Sequence, residues 1–382
     1  MRILQVTTRY PPHIGGIENS VFNLVKRLQA LGHDVQVVTS NDPPMPKADR
    51  NVLRLPVLLR IVGSWGEMPI CPSVFGAVRA AETDIIHAHV PPRQFADMST
   101  LAEMTRMKKR PIILHFRLYQ EFFSFFLRVA SNFHYQTLGY LTFQHASRIL
   151  VGNLQYRKLL IERFQIPAER ISFMPNPVDD EIYDPRRFRS TPPGGRSLSN
   201  GRTVLFTGRL VDHKGLGYLI RAFRDVVLDH PDTVLSLAGA GPLETRLKQL
   251  AKSLGLDGRV RFLGHVSPVQ MPAVLASADI FVLPSLFEHS SNSLREALAM
   301  EKPVVVTRVG DAEEVIADRR NGLLVPPKNI DSLSDAISLL LDDQRLARRL
   351  GREGRKTVKE RYSWEGFVQK LLNIYSEVLS EH

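Results

Sequence analysis

The chain has 382 residues, enough for two ordinary domains with separate cores, and 43% of them are hydrophobic, as in soluble globular proteins. Its single cysteine, Cys71, excludes an internal disulfide and favours a reducing compartment. The opening residues MRILQVTT resemble a strand of a folded domain rather than a signal peptide. No window supplies the roughly 18 consecutive apolar residues of a membrane-spanning helix. We therefore expect a cytoplasmic protein.

The net charge of +11 is unevenly distributed. Residues 1–183 contain 21 Lys and Arg against 15 Asp and Glu, residues 184–203 contain 5 against 1, and the remainder contains 24 against 23. A basic excess is typical of proteins that bind nucleic acid, anionic lipid or phosphorylated substrates, and it also serves solubility alone. Charge by itself leaves these alternatives open.

In the first half, short β-branched runs alternate with helical stretches, which predicts βαβ units and parallel sheets. The stretch Glu18–Leu31 has apolar residues at helical spacing and ends before Gly32. The predicted strands are Ile3–Thr7, Val35–Thr39, Ile85–Ala88, Ile112–His115, Ile149–Val151 and Ile171–Met174.

Residues 184–203 are rich in Pro, Gly, Ser and Arg, which predicts a linker or a long exposed loop. The alternation then restarts with strands at Val204–Phe206, Val234–Ala238, Val260–Phe262, Ile280–Leu283, Val304–Thr307 and Gly322–Val325. The helices predicted between them are Tyr218–His230, Leu243–Gly255, Pro268–Ala276, Leu294–Met300 and Ala312–Ala317. Residues 330–382 have a mostly helical pattern.

Ligands of open parallel sheets bind at the carboxyl ends of the strands, so the residues that follow strands are the candidate site. Gly15 and Gly16 precede the first helix, where backbone N–H groups can approach a phosphate, although a plain tight turn also explains them. The spacing is not that of the G-x-G-x-x-G dinucleotide motif. Arg209 and Lys214 follow the first strand of the second half and could clamp a diphosphate, or they form a solvated basic loop.

Two further segments follow strands of the second half. Gly239 and Gly241 open a helix, and a glycine turn explains them as well as ligand contact does. Glu288 and Glu296 flank the start of another helix and could accept bonds from a sugar and from a ribose diol. The N–H groups of Asn292, Ser293 and Leu294 would meet phosphate at that helix start; the alternative is a capping box formed by Ser293 and Glu296.

Histidines also stand at predicted strand ends of the first half. His115 closes one strand, and His87 and His89 lie in and just after another. A lone histidine is more often structural, and position in the sequence does not choose among the three.

Taken together, these segments resemble the family-4 retaining glycosyltransferases of the GT-B fold over nearly the whole chain. The order and spacing of the motifs carry the resemblance, since each motif is weak alone. They are Pro11–Glu18, Leu31–Val35, Met174–Asp179, Gly208–Leu210 with Lys214–Gly215, Ala238–Leu243, the pair Glu288 and Glu296, Asn321–Pro326 and Tyr362–Trp364.

The resemblance implies an α/β protein of two Rossmann-like domains whose parallel sheets face an interdomain cleft. It implies an N-terminal acceptor domain of residues 1–183 plus 363–382, because the last helix of this family usually crosses back. The linker 184–203 and a nucleotide-sugar donor domain, 204–362, complete the expected organisation.

The resemblance also implies roles. Arg209 and Lys214 would neutralise the diphosphate, Glu288 would contact the donor sugar, and Glu296 would hold the ribose. His115 would lie near the reaction centre, and Gly15 and Gly16 would face the diphosphate or the donor sugar. The expected donor is a UDP-sugar, although His289, Ser290 and Ser291 replace residues common in the family, which leaves the sugar open.

No two Asp residues lie two apart anywhere in the chain, so the Asp-x-Asp signature of many metal-dependent transferases is absent. Arg209 and Lys214 could supply the positive charge that a departing diphosphate needs. We therefore expect neither a metal nor a cofactor, and transfer with retention of anomeric configuration.

The expected acceptor is a glycan or a lipid-linked hydroxyl. The bulky segment Phe122–Leu127 follows a basic cluster at Arg106, Lys108, Lys109 and Arg110. If exposed, it could rest on an anionic membrane at the inner face; the alternative is a buried core helix.

Two other functions remain open. A nucleotide-sugar epimerase of the same fold would make a new nucleotide sugar without any acceptor. A basic nucleic-acid-binding protein would show a compact basic stripe or a motif interleaved with aromatic residues, and the sequence has neither, so no nucleic-acid partner is expected.

Overall fold

The computed structural model describes residues 1–13, 15–45, 50–63, 66–90, 93–117, 125–188 and 201–382. These residues form two compact units. Unit 1 comprises Met1–Pro175 and Phe367–His382, and unit 2 comprises Asn176–Gly366.

Unit 1 is built on a parallel sheet whose strand order is β3-β2-β1-β6-β7-β8-β9. Between β1 and β6 the order changes direction, which is where open α/β sheets bind ligands. The elements are β1 (Arg2–Val6), α1 (Gly16–Ala30), β2 (Asp34–Ser40), β3 (Val52–Leu55), β4 (Leu59–Gly63), β5 (Gly66–Ile70), α2 (Val74–Ala80), β6 (Ile85–Val90), α3 (Arg93–Met104), β7 (Ile112–Phe116), α4 (Phe125–Gln136), α5 (Leu138–His145), β8 (Arg148–Val151), α6 (Leu154–Phe164) and β9 (Ile171–Phe173).

Unit 1 follows the sequence pattern closely. Helix α1 buries Val21, Leu24, Val25 and Leu28, the apolar positions of the predicted helical stripe. Strands β6 and β7 are buried along their whole length, as expected for central strands covered on both faces. The strand β3 and the antiparallel hairpin β4–β5 were not predicted, because this segment lacks a clear alternation of apolar and polar residues.

Unit 2 has a six-stranded parallel sheet with the order β12-β11-β10-β13-β14-β15, and its direction of winding changes between β10 and β13. Its elements are β10 (Thr203–Thr207), α7 (Leu216–Asp229), β11 (Val234–Ala238), α8 (Glu244–Ser253), β12 (Val260–Gly264), α9 (Met271–Ala276), β13 (Ile280–Leu283), α10 (Asn292–Ala299), β14 (Val304–Thr307), α11 (Ala312–Val315), β15 (Leu323–Val325), α12 (Ile330–Asp342) and α13 (Gln344–Arg361). The last helix, α14 (Trp364–Ser380), begins in unit 2 and contributes Phe367 onwards to unit 1.

The boundary between the units differs from the predicted one at residue 183. It lies between Pro175 and Asn176, because the following residues pack on unit 2: the Val178 N–H donates to the Tyr362 carbonyl at 2.8 Å. The second crossing lies between Gly366 and Phe367 rather than before Ser363. Within the predicted linker 184–203, Pro185–Phe188 forms a 3₁₀ turn and Thr203 begins β10; residues 189–200 lie outside the described part.

The predicted α/β class with two parallel sheets is confirmed. In each unit the sheet's change of direction places particular loops at its carboxyl edge. In unit 2 the loops after β10 and β13 carry Arg209, Lys214 and Glu288, and Glu296 lies in α10, the helix that follows the second loop.

Candidate functional site

The loop after β10 is shaped by glycines at two points. Gly208 and Gly215 adopt φ of +148° and +67°. A Cβ on Gly215 would lie 2.0 Å from the Pro284 carbonyl oxygen, so only glycine lets this loop close on the end of β13. Between them a 3₁₀ turn, Asp212–Lys214, turns the chain, and Arg209 is left exposed.

This close approach brings Lys214 to Glu288. The Lys214 Nζ lies 2.5 Å from Glu288 Oε2, and the Ser285 hydroxyl donates to the same oxygen at 3.1 Å. Both charged side chains are largely buried, at 13% and 14% exposure, so the pair is only weakly screened by solvent. Two residues predicted to bind the donor are therefore in direct contact.

Gly239 and Gly241 are explained by backbone packing. A Cβ on Gly239 would lie 1.8 Å from the Gly208 carbonyl oxygen, and one on Gly241 would lie 2.3 Å from the Leu210 carbonyl oxygen. The two loops are joined by backbone bonds, including Leu210 N–H to the Ala240 carbonyl at 3.0 Å. These glycines thus support the loop that carries Arg209, whether or not they also touch a ligand.

Helix α10 begins two residues earlier than predicted. Ser291 is its N-cap, with its hydroxyl accepting from Leu294 N–H at 3.2 Å, so the alternative of a capping box formed by Ser293 and Glu296 is wrong. The Leu294 amide is consequently engaged by the cap. The amides of Asn292 and Ser293 lie in the first turn, where helical N–H groups lack intrahelical partners.

Sequence reasoning did not identify the buried ion pair that supports this helix. Arg295 is 1% exposed and is paired with Asp311, which follows β14. Its guanidinium also donates to the Ser291 carbonyl at 2.9 Å and to the Ser290 hydroxyl at 3.1 Å. The pair thereby fixes the serines that connect Glu288 to α10. Arg295 stands between Leu294 and Glu296, so the local sequence gives no signal of its burial.

Two titratable groups next to this segment have shifted pKa values. Burial raises the pKa of Glu296 to about 7, and the Tyr183 hydroxyl opposes that rise. Burial lowers the pKa of His289 to about 4, and the nearby His213 contributes in the same direction. At neutral pH His289 is therefore uncharged.

In unit 1, Gly15 and Gly16 stand at the start of α1, as predicted. The Glu18 carboxylate folds back on Gly15, since a Cβ there would lie 2.1 Å from Glu18 Oε2, and it lies 3.2 Å from His13 Nδ1. Glu18 thus places its own negative charge at the helix start, where the macrodipole favours an anion.

The sheet register of unit 1 gathers the three histidines on one face. His89 is paired with His115 across β6 and β7, and Gln5 of β1 is paired with His87. Since alternate residues of a strand share a face, His87 and His89 point the same way. The ring centroids lie 4.5 Å apart for His87 and His89, and 5.5 Å apart for each of these with His115.

The hydrogen bonds of the three rings differ. The Tyr375 hydroxyl of α14 donates to His87 Nδ1 at 2.5 Å, and His89 Nε2 donates to Gln5 Oε1 at 2.9 Å. Among the residues that the structure describes, neither ring nitrogen of His115 has a partner, although the ring is fully buried. Burial and the nearby Arg117 hold the pKa of all three well below the usual range, so the rings are neutral.

The three histidines are close enough together to form a candidate metal site, because their possible ligand atoms all lie within 4.8 Å of one another. The rings are stacked, with interplanar angles of 11° to 29°. Imidazole lone pairs lie in the ring plane, so nearly parallel rings do not converge on one ion. His89 also uses both nitrogens, since its Nδ1 accepts from Arg117 Nε at 3.4 Å. The geometry does not fit a metal ion.

One residue of the basic cluster predicted at residues 106–110, Arg110, is not exposed. Arg110 is buried and ion-paired with Glu103, and its guanidinium donates to the Thr83 hydroxyl at 2.9 Å. Lys108 and Lys109 are exposed.

Of the aromatic segment, Phe122–Ser124 lies outside the described residues, and α4 begins at Phe125. In the described parts of the chain, no helix has the length and apolar character needed to span a bilayer.

Comparison with known proteins covers both units. The model of glycosyltransferase family 4 matches residues 14–182, and that of glycosyl transferases group 1 matches residues 192–357. An uncharacterized glycosyltransferase of Methanocaldococcus jannaschii is 27% identical over 98% of each chain. The GPI3 subunit of the phosphatidylinositol N-acetylglucosaminyltransferase of Saccharomyces cerevisiae is 25% identical over 97% of this chain and 81% of its own.

Relatives of 28% to 32% identity are matched over 52% to 61% of their own length. The crystal structure of Anabaena HepE in complex with UDP has a TM-score of 0.78 at 21% identity, over 99% of this chain and all of that one, which shows the shared fold. The two family models together account for most of both units. The chain belongs to the family-4, group 1 glycosyltransferases of the GT-B fold.

Proposed function

We propose that this glycosyltransferase moves a sugar from a UDP-sugar to an acceptor hydroxyl, with retention of anomeric configuration and without a metal ion. The contact between Lys214 and Glu288 at the carboxyl edge of the unit 2 sheet is the observation that carries the proposal. It places a cation suited to a diphosphate beside a carboxylate suited to sugar hydroxyls.

The proposed roles in unit 2 follow from where the side chains stand. Arg209 is exposed on the loop after β10, where its guanidinium can pair with a diphosphate oxygen. Lys214 neutralises the same diphosphate, and Glu288 accepts bonds from the donor sugar. Glu296 accepts bonds from the ribose diol, and the first-turn amides of Asn292 and Ser293 face phosphate.

In unit 1, His115 is the residue proposed for the reaction centre. Its ring is neutral and leaves both nitrogens without a partner in the described part of the chain, so it can donate to or accept from a sugar hydroxyl. Gly15 and Gly16 offer backbone N–H groups at the start of α1. An anion there would displace the Glu18 carboxylate, which occupies that place in the free protein.

The proposed chemistry is front-face displacement. The bond from the anomeric carbon to the leaving phosphate oxygen breaks, and the bond to the acceptor oxygen forms on the same face. The acceptor proton passes to the leaving phosphate oxygen. Because the diphosphate leaves with added negative charge, Arg209 and Lys214 stabilise the transition state more than the ground state.

The proposed donor nucleotide is UDP, supported by the family resemblance and by the bound UDP in the similar structure of HepE. The residues after Glu288 shape the sugar pocket. There His289 is half-buried beside Phe287, with ring centroids 4.6 Å apart. Its pKa is lowered, so the pocket presents a neutral imidazole to the sugar.

A lipid-linked acceptor is proposed for unit 1. Helices α4 and α5 expose Val129, Phe133, Tyr140 and Leu141, with Phe133 at 67% exposure. Met107 is fully exposed next to Lys108 and Lys109, a pairing of apolar and cationic side chains that suits an anionic membrane interface. The phosphatidylinositol acceptor in the name of the yeast relative also supports this proposal.

A donor screen tests the proposal. UDP, GDP and ADP and their common sugar conjugates are titrated against the purified protein, and the thermal midpoint of unfolding is followed. UDP and one or more UDP-sugars are expected to raise the midpoint, because a ligand that binds the native state stabilises it. Product is then sought with and without acceptor: a new nucleotide sugar formed from donor alone would identify an epimerase, and no binding of any nucleotide would contradict a transferase.

A further inference from the structure

The loop between β14 and α11 packs against the loop that carries Glu288. The Thr307 hydroxyl, at the end of β14, donates to the Ser285 carbonyl at 2.5 Å. Gly310 has φ of +61°, and a Cβ there would lie 2.2 Å from the Glu288 carbonyl oxygen, so the close approach leaves no room for a side chain. The two loops therefore meet just before Glu288 and at Glu288 itself.

A third contact lies just after Glu288, at Ser291. Arg295 Nη1 donates to the Ser291 carbonyl at 2.9 Å and to the Ser290 hydroxyl at 3.1 Å, whereas Arg295 Nη2 donates to Asp311 Oδ2. The other carboxylate oxygen of Asp311 accepts from the Ser291 N–H at 3.4 Å. Ser291 is thus held at its carbonyl by Arg295 and at its N–H by Asp311.

The ion pair that makes this contact is enclosed on all sides. Arg295 and Asp311 are each 1% exposed, and Arg295 Cζ lies over the Tyr362 ring, 4.9 Å from its centroid. A buried ion pair is weak evidence for stability, because two apolar side chains of similar volume often serve folding equally well. Stability alone therefore does not account for two buried charges beside the donor loop.

We infer that Arg295 and Asp311 are positioning residues that set where Glu288 stands, and that they thereby determine how tightly the sugar of the donor is bound. This inference rests on the proposed function, because it takes Glu288 as the acceptor for the sugar hydroxyls. It extends the site to the loop after β14, which the sequence motifs did not include.

The contacts favour an effect on the sugar over one on the diphosphate. They lie on both sides of Glu288, whose carboxylate is also oriented by Lys214 and Ser285. The first turn of α10 has a restraint of its own, since the Ser291 hydroxyl caps it by accepting from the Leu294 N–H. The amides that would face phosphate consequently depend less on the ion pair than Glu288 does.

The physical argument concerns the entropy of the loop. A carboxylate that is already held in place contributes its hydrogen bonds to affinity without a further ordering cost. If the loop after β13 lost the restraint at Ser291, Glu288 would sample more positions, and the arriving sugar would have to order it. The affinity for the sugar would then fall, while most of the affinity for the nucleotide would remain.

Calorimetric titration of Arg295→Lys tests the inference. Lysine keeps the positive charge opposite Asp311 but lacks the planar fork that also reaches the Ser291 carbonyl. The probes are UDP and whichever of UDP-glucose, UDP-galactose and UDP-N-acetylglucosamine the wild type binds most tightly. The dissociation constant of the UDP-sugar should rise about tenfold relative to that of UDP, the factor that corresponds to one hydrogen bond to a charged group.

Glu288→Gln shows whether this effect passes through Glu288. If the ion pair acts by placing this carboxylate, adding Arg295→Lys to Glu288→Gln should change the ratio of the two dissociation constants by less than about twofold. A tenfold change in both backgrounds would mean that Arg295 acts independently of Glu288, and the inference would be wrong.

Arg295→Met/Asp311→Ala provides a second variant in case the lysine variant is unstable. It removes both charges, so neither is left buried without its partner, and the protein should still fold. The ratio of the dissociation constants should shift by the same tenfold factor. A wild-type ratio in this variant would show that the pair serves folding alone and would overturn the inference.

Arg355→Lys is the matched control, because Arg355 is another buried arginine of unit 2. It is paired with Asp184 at 3.2 Å and donates to the Tyr183 carbonyl at 3.0 Å. This variant should keep the wild-type ratio. A wild type that binds neither UDP nor any of the three conjugates would contradict the proposed function, whereas normal binding with an unchanged ratio in Arg295→Lys would contradict this inference alone.

Discussion

Lys214 and Glu288, 74 residues apart in the chain, form an ion pair with 2.5 Å between Nζ and Oε2. In the free protein the cation proposed for the diphosphate is therefore already neutralised by the carboxylate proposed for the sugar. A donor that arrives with its diphosphate and its sugar hydroxyls can engage both groups without leaving either one buried and unpaired.

Lys214→Ala is expected to lower kcat by roughly 100-fold or more, because a lost stabilisation of a few kcal/mol in the transition state corresponds to that factor. Arg209→Ala should act in the same direction. Initial rates at saturating donor measure the effect. A change confined to KM would show that these side chains bind ground state and transition state equally.

The Lys214–Glu288 contact further predicts that the two substitutions are not additive. Glu288→Gln removes the partner charge, so in Lys214→Ala/Glu288→Gln the loss of transition-state stabilisation should differ from the sum of the single losses. Arg224→Ala is a suitable control: its guanidinium is exposed on α7 and lies 2.8 Å from Asp225, and it should leave kcat near the wild-type value.

Transfer should persist in excess chelator. The proposed charge stabilisation comes from Arg209 and Lys214, and the stacked histidines of unit 1 do not converge on an ion. Rates are measured with EDTA and then with Mg²⁺ or Mn²⁺ added back. Complete loss of activity that either ion restores would contradict metal independence.

The product should keep the anomeric configuration of the donor. Retention follows from attack on the face that the diphosphate leaves, with the acceptor proton taken by the phosphate. Proton NMR of the product, recorded before mutarotation or hydrolysis, gives the configuration directly. An inverted product would overturn the retaining mechanism.

Unit 1 is expected to bind anionic vesicles at low salt and to release them as salt rises, because the attraction of Lys108 and Lys109 is screened by ions. Co-sedimentation with vesicles of phosphatidylglycerol and phosphatidylcholine measures it. Lys108→Glu/Lys109→Glu and Phe133→Ser should each reduce the bound fraction, as should Phe122→Ser/Phe125→Ser if the preceding aromatic segment also inserts.

Leu228→Ser is the matched control for these vesicle experiments. Leu228 is 77% exposed in unit 2, so its substitution removes a comparable apolar surface away from the proposed interface. It should sediment like the wild type. Well-folded wild type that stays in the supernatant at low salt would point to a soluble acceptor.

Gly239→Ala should destabilise unit 2 and disturb the loop that carries Arg209. Its Cβ would lie 1.8 Å from the Gly208 carbonyl oxygen, in a backbone conformation with φ of +149°. We expect a cost above about 2 kcal/mol, seen as a lower midpoint in urea at an unchanged slope. Gly255→Ala, with φ of +70° and no atom within 4 Å of its Cβ, should cost about 1 kcal/mol. An equal loss of unfolding free energy in the two variants would mean that the close packing of Gly239 against the Gly208 carbonyl contributes nothing to stability.

Most strands and helices could be predicted from the sequence, because each depends on a period or a turn signal within a few residues. Val234–Ala238, Ile280–Leu283 and Val304–Thr307 have the predicted bounds, and the glycine, basic and acidic segments stand after strands as expected. Family membership followed from the order of those segments along the chain, which is also a property of the sequence alone.

The tertiary structure decided which distant residues meet. His87, His89 and His115 share one face because the strand register pairs His89 with His115, and register is set by sheet packing rather than by local pattern. Arg110 does not belong to an exposed basic cluster, because the fold buries it and pairs it with Glu103. Lys214 reaches Glu288 because the strand order brings the loops after β10 and β13 together at one edge of a sheet. A linear pattern encodes periods and turns, whereas such pairings depend on the order and register in which the strands assemble.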